Sequence, residues 1–182
     1  MKILIAGIST RAMAESAVRG SLGHEIVTVD YFGDQDQKVL CPNLSLKRDF
    51  GKPWSVKAFL EVCRSLRFDA LVYTSNLENH PRIVERLSQG PLLFGNPPQV
   101  LSRIRNPFEF FPCLARLGIP FPQTFRSPER VPIEGHGPFL RKPIRSGGGH
   151  GIAFHRPGRR IGKGFLLQEY IPGLPYSAAF VA

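Results

Sequence analysis

Arg141-Lys142-Pro143-Ile144-Arg145 runs into Ser146-Gly147-Gly148-Gly149-His150-Gly151, and sixteen residues later stands Leu167-Gln168-Glu169-Tyr170-Ile171. The first stretch puts a lysine at the end of an apolar strand, at the entrance to a glycine-rich turn. Backbone N–H groups of such a turn can converge on phosphate oxygens, because no Cβ blocks the approach. A lysine at its mouth adds a point charge for the same phosphates. The second stretch is an apolar strand ending in polar side chains beside free backbone, which suits an adenine edge and ribose hydroxyls. Together they read as a nucleoside triphosphate site.

Three glycines alone can also be a flexible hairpin, and the lysine precedes them, so this is not the G-x-x-x-x-G-K-[ST] phosphate loop. The order strand, glycine turn, strand, polar-ended strand is what raises the signal. Ser146 and His150 lie inside the turn, where either could donate to a phosphate or simply occupy an exposed position. The other histidines, His24, His80, His136 and His155, have no metal-ligand spacing. No G-x-S-x-G elbow and no paired catalytic carboxylates support hydrolase or glycosidase chemistry.

A second group of candidates lies near the N-terminus. Gly7-Ile8-Ser9 after a first strand, with Asp30 closing a second, invites a dinucleotide reading, but the full G-x-G-x-x-G is absent. In open parallel sheets ligands bind beyond the carboxyl ends of the strands. That makes Ser9, Thr10 and Asp30, with Ser75, Asn76, Glu78, Asn79 and His80, candidates for substrate contact. Their alternative is helix capping, by Ser9 or Thr10 for one helix and by Ser75 or Asn76 for another.

These residues must be held by a fold, and the pattern predicts one. Ile3–Ala6 is a continuous apolar run, as in a parallel strand covered on both faces. Helix Arg11–Arg19, strand His24–Asp30, a helix from Trp54 carrying Val56, Phe59, Leu60, Cys63 and Leu66, strand Asp69–Thr74, a helix around Ile83–Leu87 and strand Leu92–Phe94 follow. The β-α alternation predicts an α/β domain over 1–96, an open parallel sheet with helices on both faces. After Asn96-Pro97-Pro98 come a helix to about Ile104 and a helical stretch Pro107–Leu117 stopped by Gly118, with Pro112 expected to kink or split it. Strands are then predicted near Gln123–Phe125, Pro138–Lys142, Gly151–His155, Phe165–Glu169 and Tyr176–Ala182. Residues 97–182 thus read as an α+β unit whose last strand runs to the final residue, as if unfinished.

Composition narrows the classes. A chain of 182 residues with 42% hydrophobic and 21% charged residues is ordinary for a globular protein. No apolar stretch is long enough to span a bilayer, and Met1–Gly7, short and quickly polar, reads as a first β-strand rather than a signal peptide. Cys41, Cys63 and Cys113 are odd in number and far apart, which predicts reduced thiols in a cytoplasmic protein. Net charge is +10, and nine Lys/Arg face only Glu129 and Glu134 between Arg126 and Lys163. The excess sits where the phosphates would be. With no zinc-finger, RNP-like or RGG pattern, a small polyanion is the better reading than nucleic acid.

Leu140-Arg141-Lys142-Pro143 leading into Ser146–Gly151, Leu167–Gly173, and Gly118-Ile119-Pro120-Phe121-Pro122-Gln123-Thr124 resemble the ATP-grasp superfamily of carboxylate–amine ligases. The resemblance covers essentially the whole chain. It implies a Rossmann-like domain (1–96) preceding an incomplete α+β ATP-grasp subdomain, the first lobe (97–182). Within the superfamily the chain is similar to the tyramine–glutamate ligase-like group of methanopterin- and methanofuran-type pathways. The resemblance implies that ATP phosphorylates a carboxylate and that an amine, or a thiol, attacks the acyl phosphate. It assigns Lys142 to the ATP phosphates, Ser146, Gly147, Gly148, Gly149, His150 and Gly151 to a flap over them, and Gln168, Glu169, Tyr170 and Ile171 to adenine and ribose.

Two departures go with it. Where the family often has a lysine ahead of the Gly-Ile-Pro element this chain has Pro107, and Arg105 is the substitute. The residues that hold Mg²⁺ in such ligases lie in a second lobe, so Mg²⁺ is expected only with that lobe and the 182-residue chain is expected to be inactive alone. The alternatives are a nucleotide-binding module without catalysis and a basic nucleic-acid-binding protein. A homo-oligomer is an open expectation; a membrane partner is not expected.

Overall fold

The computed structural model describes residues 1–20, 22–126, 138–156 and 158–178. The chain divides into two compact units, Met1–Pro107 and Phe108–Ala182. The helix Pro98–Ile104 therefore lies with the first unit.

The first unit is a five-stranded parallel sheet of β1 (Lys2–Ala6), β2 (Glu25–Asp30), β3 (Asn43–Ser45), β4 (Ala70–Tyr73) and β5 (Leu92–Phe94) in the order β3-β2-β1-β4-β5. Period-two alternation sorts the apolar runs onto two faces. Leu4, Ala6, Val27, Val29 and Leu71 pack beneath α3 (Val56–Arg64), α4 (Pro81–Leu87) and Leu101 of α5 (Pro98–Ile104). Ile3, Ile5, Ile26 and Ala70 turn the other way, against Ala14 of α1 (Arg11–Arg19) and Cys41. Burial on both faces is why β1 reads as an unbroken apolar run.

Two elements were not expected from the sequence: α2 (Gln35–Leu40) and β3. The buried residue of α2 is Gln37, fully inaccessible, whose Nε2 donates to Thr10 and Thr28 hydroxyls at 2.7 Å each. The caps also differ from expectation. Thr10 holds the N-cap position of α1 without a side-chain capping bond, and α4 begins at Pro81 behind His80, so neither Ser75 nor Asn76 caps it. Ser55 does cap α3, accepting from the Ala58 N–H.

The second unit carries α6 (Pro107–Arg116), which straddles the division, and a four-stranded antiparallel sheet. Its strands are β6 (Thr124–Arg126), β7 (Phe139–Pro143), β8 (Ala153–Phe154) and β9 (Phe165–Glu169), in the order β6-β9-β7-β8. Pro112 does not split α6, which is one continuous helix. The helix ends at Gly118 (φ +66°), where Ile119 N–H donates to Leu114 O and Gly118 N–H to Ala115 O. These are the two bonds of a Schellman stop, which needs a left-handed residue that glycine supplies most cheaply. The strand expected at Tyr176–Ala182 is absent over 176–178, and its remainder lies outside the described residues.

Candidate functional site

Register decides which side chains of the second unit share a face. Lys142 pairs with Leu166, and Gln168 with Leu140 on one side and Thr124 on the other. Alternation therefore brings Thr124, Gln168 and Lys142 to one face of the sheet. Phe125, Phe139, Phe165 and Leu167 go to the opposite face, where they close with Ile161 into the unit's apolar core.

On the first face the polar groups form a chain. Lys142 Nζ donates to Gln168 Oε1 at 2.9 Å, Gln168 Nε2 to Thr124 Oγ1 at 3.2 Å, and that hydroxyl to Pro122 O at 2.9 Å. Lys142 is thus held by a neutral amide rather than by a carboxylate, which leaves its charge available to an anion. Phe154 and Tyr170 meet edge-on, 5.3 Å between ring centroids, at the β8 side. Glu169 alternates away from this face: Gln123 N–H donates to its Oε2, and its own N–H donates to Gln123 O. Tyr170 N–H donates to Pro138 O at 2.9 Å, so this backbone donor is already engaged, while Ile171 is exposed.

The turn beyond Lys142 is a built structure rather than slack chain. Ser146 Oγ donates to His150 O at 2.6 Å, His150 N–H to Gly147 O and Ile152 N–H to Gly149 O. Gly148, Gly149 and Gly151 have φ of +59°, +75° and +75°, a region that L side chains rarely adopt. A Cβ at Gly148 or Gly149 would meet nothing within 4 Å, so both backbones face open space. The Ser146 hydroxyl is committed inside the turn.

The other candidates lie in the first unit. Ser9 and Ser75 are exposed and come together at the carboxyl ends of β1 and β4, the place where the strand order reverses. Ile8 joins the loops: its N–H donates to Ser75 O at 2.6 Å and its carbonyl accepts from Tyr31 N–H at 3.2 Å. Thr74 Oγ1 donates to Ser9 O, and a Cβ on Gly7 would lie 2.0 Å from that hydroxyl oxygen, so only glycine allows the closure. Asn76 Oδ1 is buried there without a hydrogen-bond partner, and Glu78 is half-buried.

Two expectations need correction. Thr10 and Asp30 are each 1% exposed. The Asp30 carboxylate accepts from Thr10 Oγ1, Gly33 N–H and Asn43 Nδ2, so it ties the start of α1, the β2–α2 loop and β3 together and is closed to a ribose or substrate. Arg105 closes α5 and donates through Nε at 3.0 Å, and through a terminal nitrogen, to Oδ1 of buried Asn79. Asn79 is therefore a holder of Arg105 rather than an open contact.

Among the described residues no group of three or more His, Cys, Asp or Glu is arranged to hold a metal ion, and no helix is long and apolar enough to cross a membrane. Cys41 and Cys63 are buried free thiols whose burial raises their pKa, as inert core thiols do.

No protein-family model and no curated protein sequence matches the chain. Solved structures do match it. An N5-carboxyaminoimidazole synthetase from Staphylococcus aureus complexed with ADP is 19% identical at a TM-score of 0.63, covering 93% of this chain and 47% of its own. An L-amino acid ligase from Bacillus licheniformis is 16% identical at 0.60, covering 94% and 44%. A biotin carboxylase–βγ-ATP complex from Campylobacter jejuni is 16% identical at 0.66, covering 94% and 45%. The chain spans about half the length of the solved structures it matches. The likeness is one of fold: over 93–94% of its length this chain shares the architecture of about half of each of them.

Proposed function

We propose that the chain is the ATP-binding portion of an ATP-dependent carboxylate–amine ligase. The observation that carries this reading is the pairing of Lys142 with Gln168 on the sheet face turned away from the core, at the mouth of a glycine turn with open backbone. In this reading the ATP phosphates lie between Lys142 Nζ and the backbone of Gly147–Gly151, with His150 beside them. The adenine and ribose lie over Gln168 to Ile171, flanked by Phe154 and Tyr170. Glu169 holds the Gln123 segment in place.

The chemistry is positioning plus charge neutralisation, as in other phosphoryl transfers. A carboxylate oxygen attacks the terminal phosphorus and ADP leaves. An amine nitrogen then attacks the acyl carbon, the carbon–oxygen bond breaks with its electron pair leaving on inorganic phosphate, and the nitrogen gives up a proton to solvent. Ser9, Ser75, Asn76 and Glu78 are the proposed acceptor contacts, and Arg105 is the proposed cation replacing the lysine missing at Pro107. Divalent metal binding enters only with a second lobe, and the proposed compartment is the cytoplasm.

The test is nucleotide titration of the purified chain and of Lys142→Ala. Removing one charge-assisted contact costs about 1.5–3 kcal/mol, so ATP affinity should fall roughly tenfold to a hundredfold. Equal affinity of the two proteins would reduce the glycine turn to a hairpin.

A further inference from the structure

The nucleotide reading does not absorb the chain's positive charge. Between Pro138 and Ala178 there are seven Lys/Arg and one acid, Glu169. Lys142 is on the face proposed for ATP, and Arg145 directly precedes the glycine turn. Four of the others, Arg156, Arg159, Arg160 and Lys163, lie on the connection from β8 to β9 and are exposed.

The route of this connection follows from its anchors. His155 N–H donates to Phe139 O at 2.7 Å at one end, and Ile144 N–H to Gly164 O at 3.0 Å at the other. Between them Ile161, 1% exposed, inserts among Phe139, Leu167, Phe125 and Phe165. Those side chains occupy the face opposite Lys142 and Gln168, so the connection crosses the far side of the sheet. Arg141 fixes it from below: Nε donates to Ile161 O at 3.0 Å, and the guanidinium lies 3.2 Å from the Phe165 ring centroid. Gly158, Gly162 and Gly164, all with φ near +80°, make the bends this path requires. None of the four exposed cations is ion-paired to a described residue. The first unit, by contrast, pairs Lys2, Arg11, Lys38 and Lys52 with acids.

We propose that this loop is a docking surface for an acidic segment of a partner polypeptide. Like charges held on one short, anchored loop repel one another, and an anion relieves that repulsion. Arginine forks match carboxylates two bonds at a time. A polypeptide fits better than a nucleic acid on three counts. Residues 156–164, which carry the four cations, contain no aromatic ring on which a base could stack. Among its described residues the connection carries no helix or strand that could enter a groove. Four cations also fall short of the six to ten or so phosphate contacts that give nucleic-acid binding its strength. The surface stands independently of the ATP reading, because the two lie on opposite faces of one sheet.

The test is fluorescence anisotropy of labelled hexaglutamate with the whole chain, against hexaglutamine and a short DNA duplex. Hexaglutamate should bind, hexaglutamine should not, and the complex should weaken about tenfold between about 50 and 200 mM salt. Replacing Arg156, Arg159, Arg160 and Lys163 by Gln should weaken hexaglutamate about tenfold, while ATP affinity and circular dichroism stay unchanged. Should that variant fail to fold, Arg159→Gln with Arg160→Gln, which leaves the anchors Ile161 and Arg141 intact, carries the same expectation at smaller size. Lys142→Ala should leave hexaglutamate binding unaltered. Tighter binding of the duplex than of hexaglutamate, equal binding of hexaglutamine, or loss through Lys142→Ala in place of the loop variants would each overturn the proposal.

Discussion

Lys142 Nζ stands 2.9 Å from Gln168 Oε1 across the β7–β9 pair, a cation oriented by an uncharged neighbour. A carboxylate at 168 would orient the lysine equally well and at the same time neutralise it. Gln168→Glu should therefore keep the fold and weaken ATP about tenfold, since the added charge acts on the phosphates directly and through the lysine. Nucleotide titration with a thermal melt as the folding check decides this; unchanged ATP affinity would remove Lys142 from the phosphate site.

Asp30 sits at the centre of a different network. It is buried and accepts from Thr10, Gly33 and Asn43. Asp30→Ala leaves three donors without an acceptor, which should cost about 3 kcal/mol or more. Asp30→Asn keeps the shape and one acceptor oxygen and should lose less. Urea midpoints measure both. ATP affinity at temperatures where the variants are folded should be unaltered, because the carboxylate is buried and engaged by three donors; a selective loss of ligand binding would restore Asp30 as a contact residue.

The same network explains what could and could not be read in advance. β1, β2, β4, α3 and α4 bury apolar residues at regular periods, so Ile3–Ala6 and Val56–Leu66 announce them. α2 is fixed by Gln37 meeting two threonine hydroxyls, and β3 by Asn43 meeting Thr28 and Asp30. Polar contacts between residues 9 to 27 apart leave no periodic trace. The strand that enters the glycine turn at Lys142 and the strand that ends at Gln168-Glu169 were legible because their sequence pattern is local. That Gln168 faces Lys142 while Glu169 faces away depends on register, which no single strand's sequence contains. Thr10 and Asp30 differ from expectation for a related reason: an acid ending a parallel strand looks alike whether it faces a ligand or, as here, a hydroxyl, a backbone N–H and a side-chain amide.

His155 gives a pH dependence. Burial, with a smaller contribution from the Arg141 charge, lowers its pKa below the ordinary 6.5. The unfolded chain then binds the proton more tightly than the folded one. Stability is fully present above about pH 6.5, and is lost as pH falls from there through the depressed folded value. Urea midpoints from about pH 8 to about pH 5 should fall for the native chain, and this part of the slope should vanish in His155→Gln. An unchanged slope in that variant would place the acid sensitivity elsewhere.

Gly149 and Gly151 separate the turn's two duties. Both have φ of +75°, so alanine at either carries a left-handed penalty of about 1–2 kcal/mol. At Gly149 the new Cβ meets nothing within 4 Å, and the space it enters is the space proposed for phosphate. At Gly151 it meets Pro143 Cγ at 3.0 Å, where the neighbouring strand must yield. Gly151→Ala should therefore lose more stability than Gly149→Ala, and Gly149→Ala should lose more ATP affinity than Gly151→Ala. Denaturant midpoints and nucleotide titrations on the two variants give four numbers, and the crossed ordering is the signature. If stability and affinity fall together in the same order, the turn acts on ATP only through its folding, and the backbone cradle is wrong.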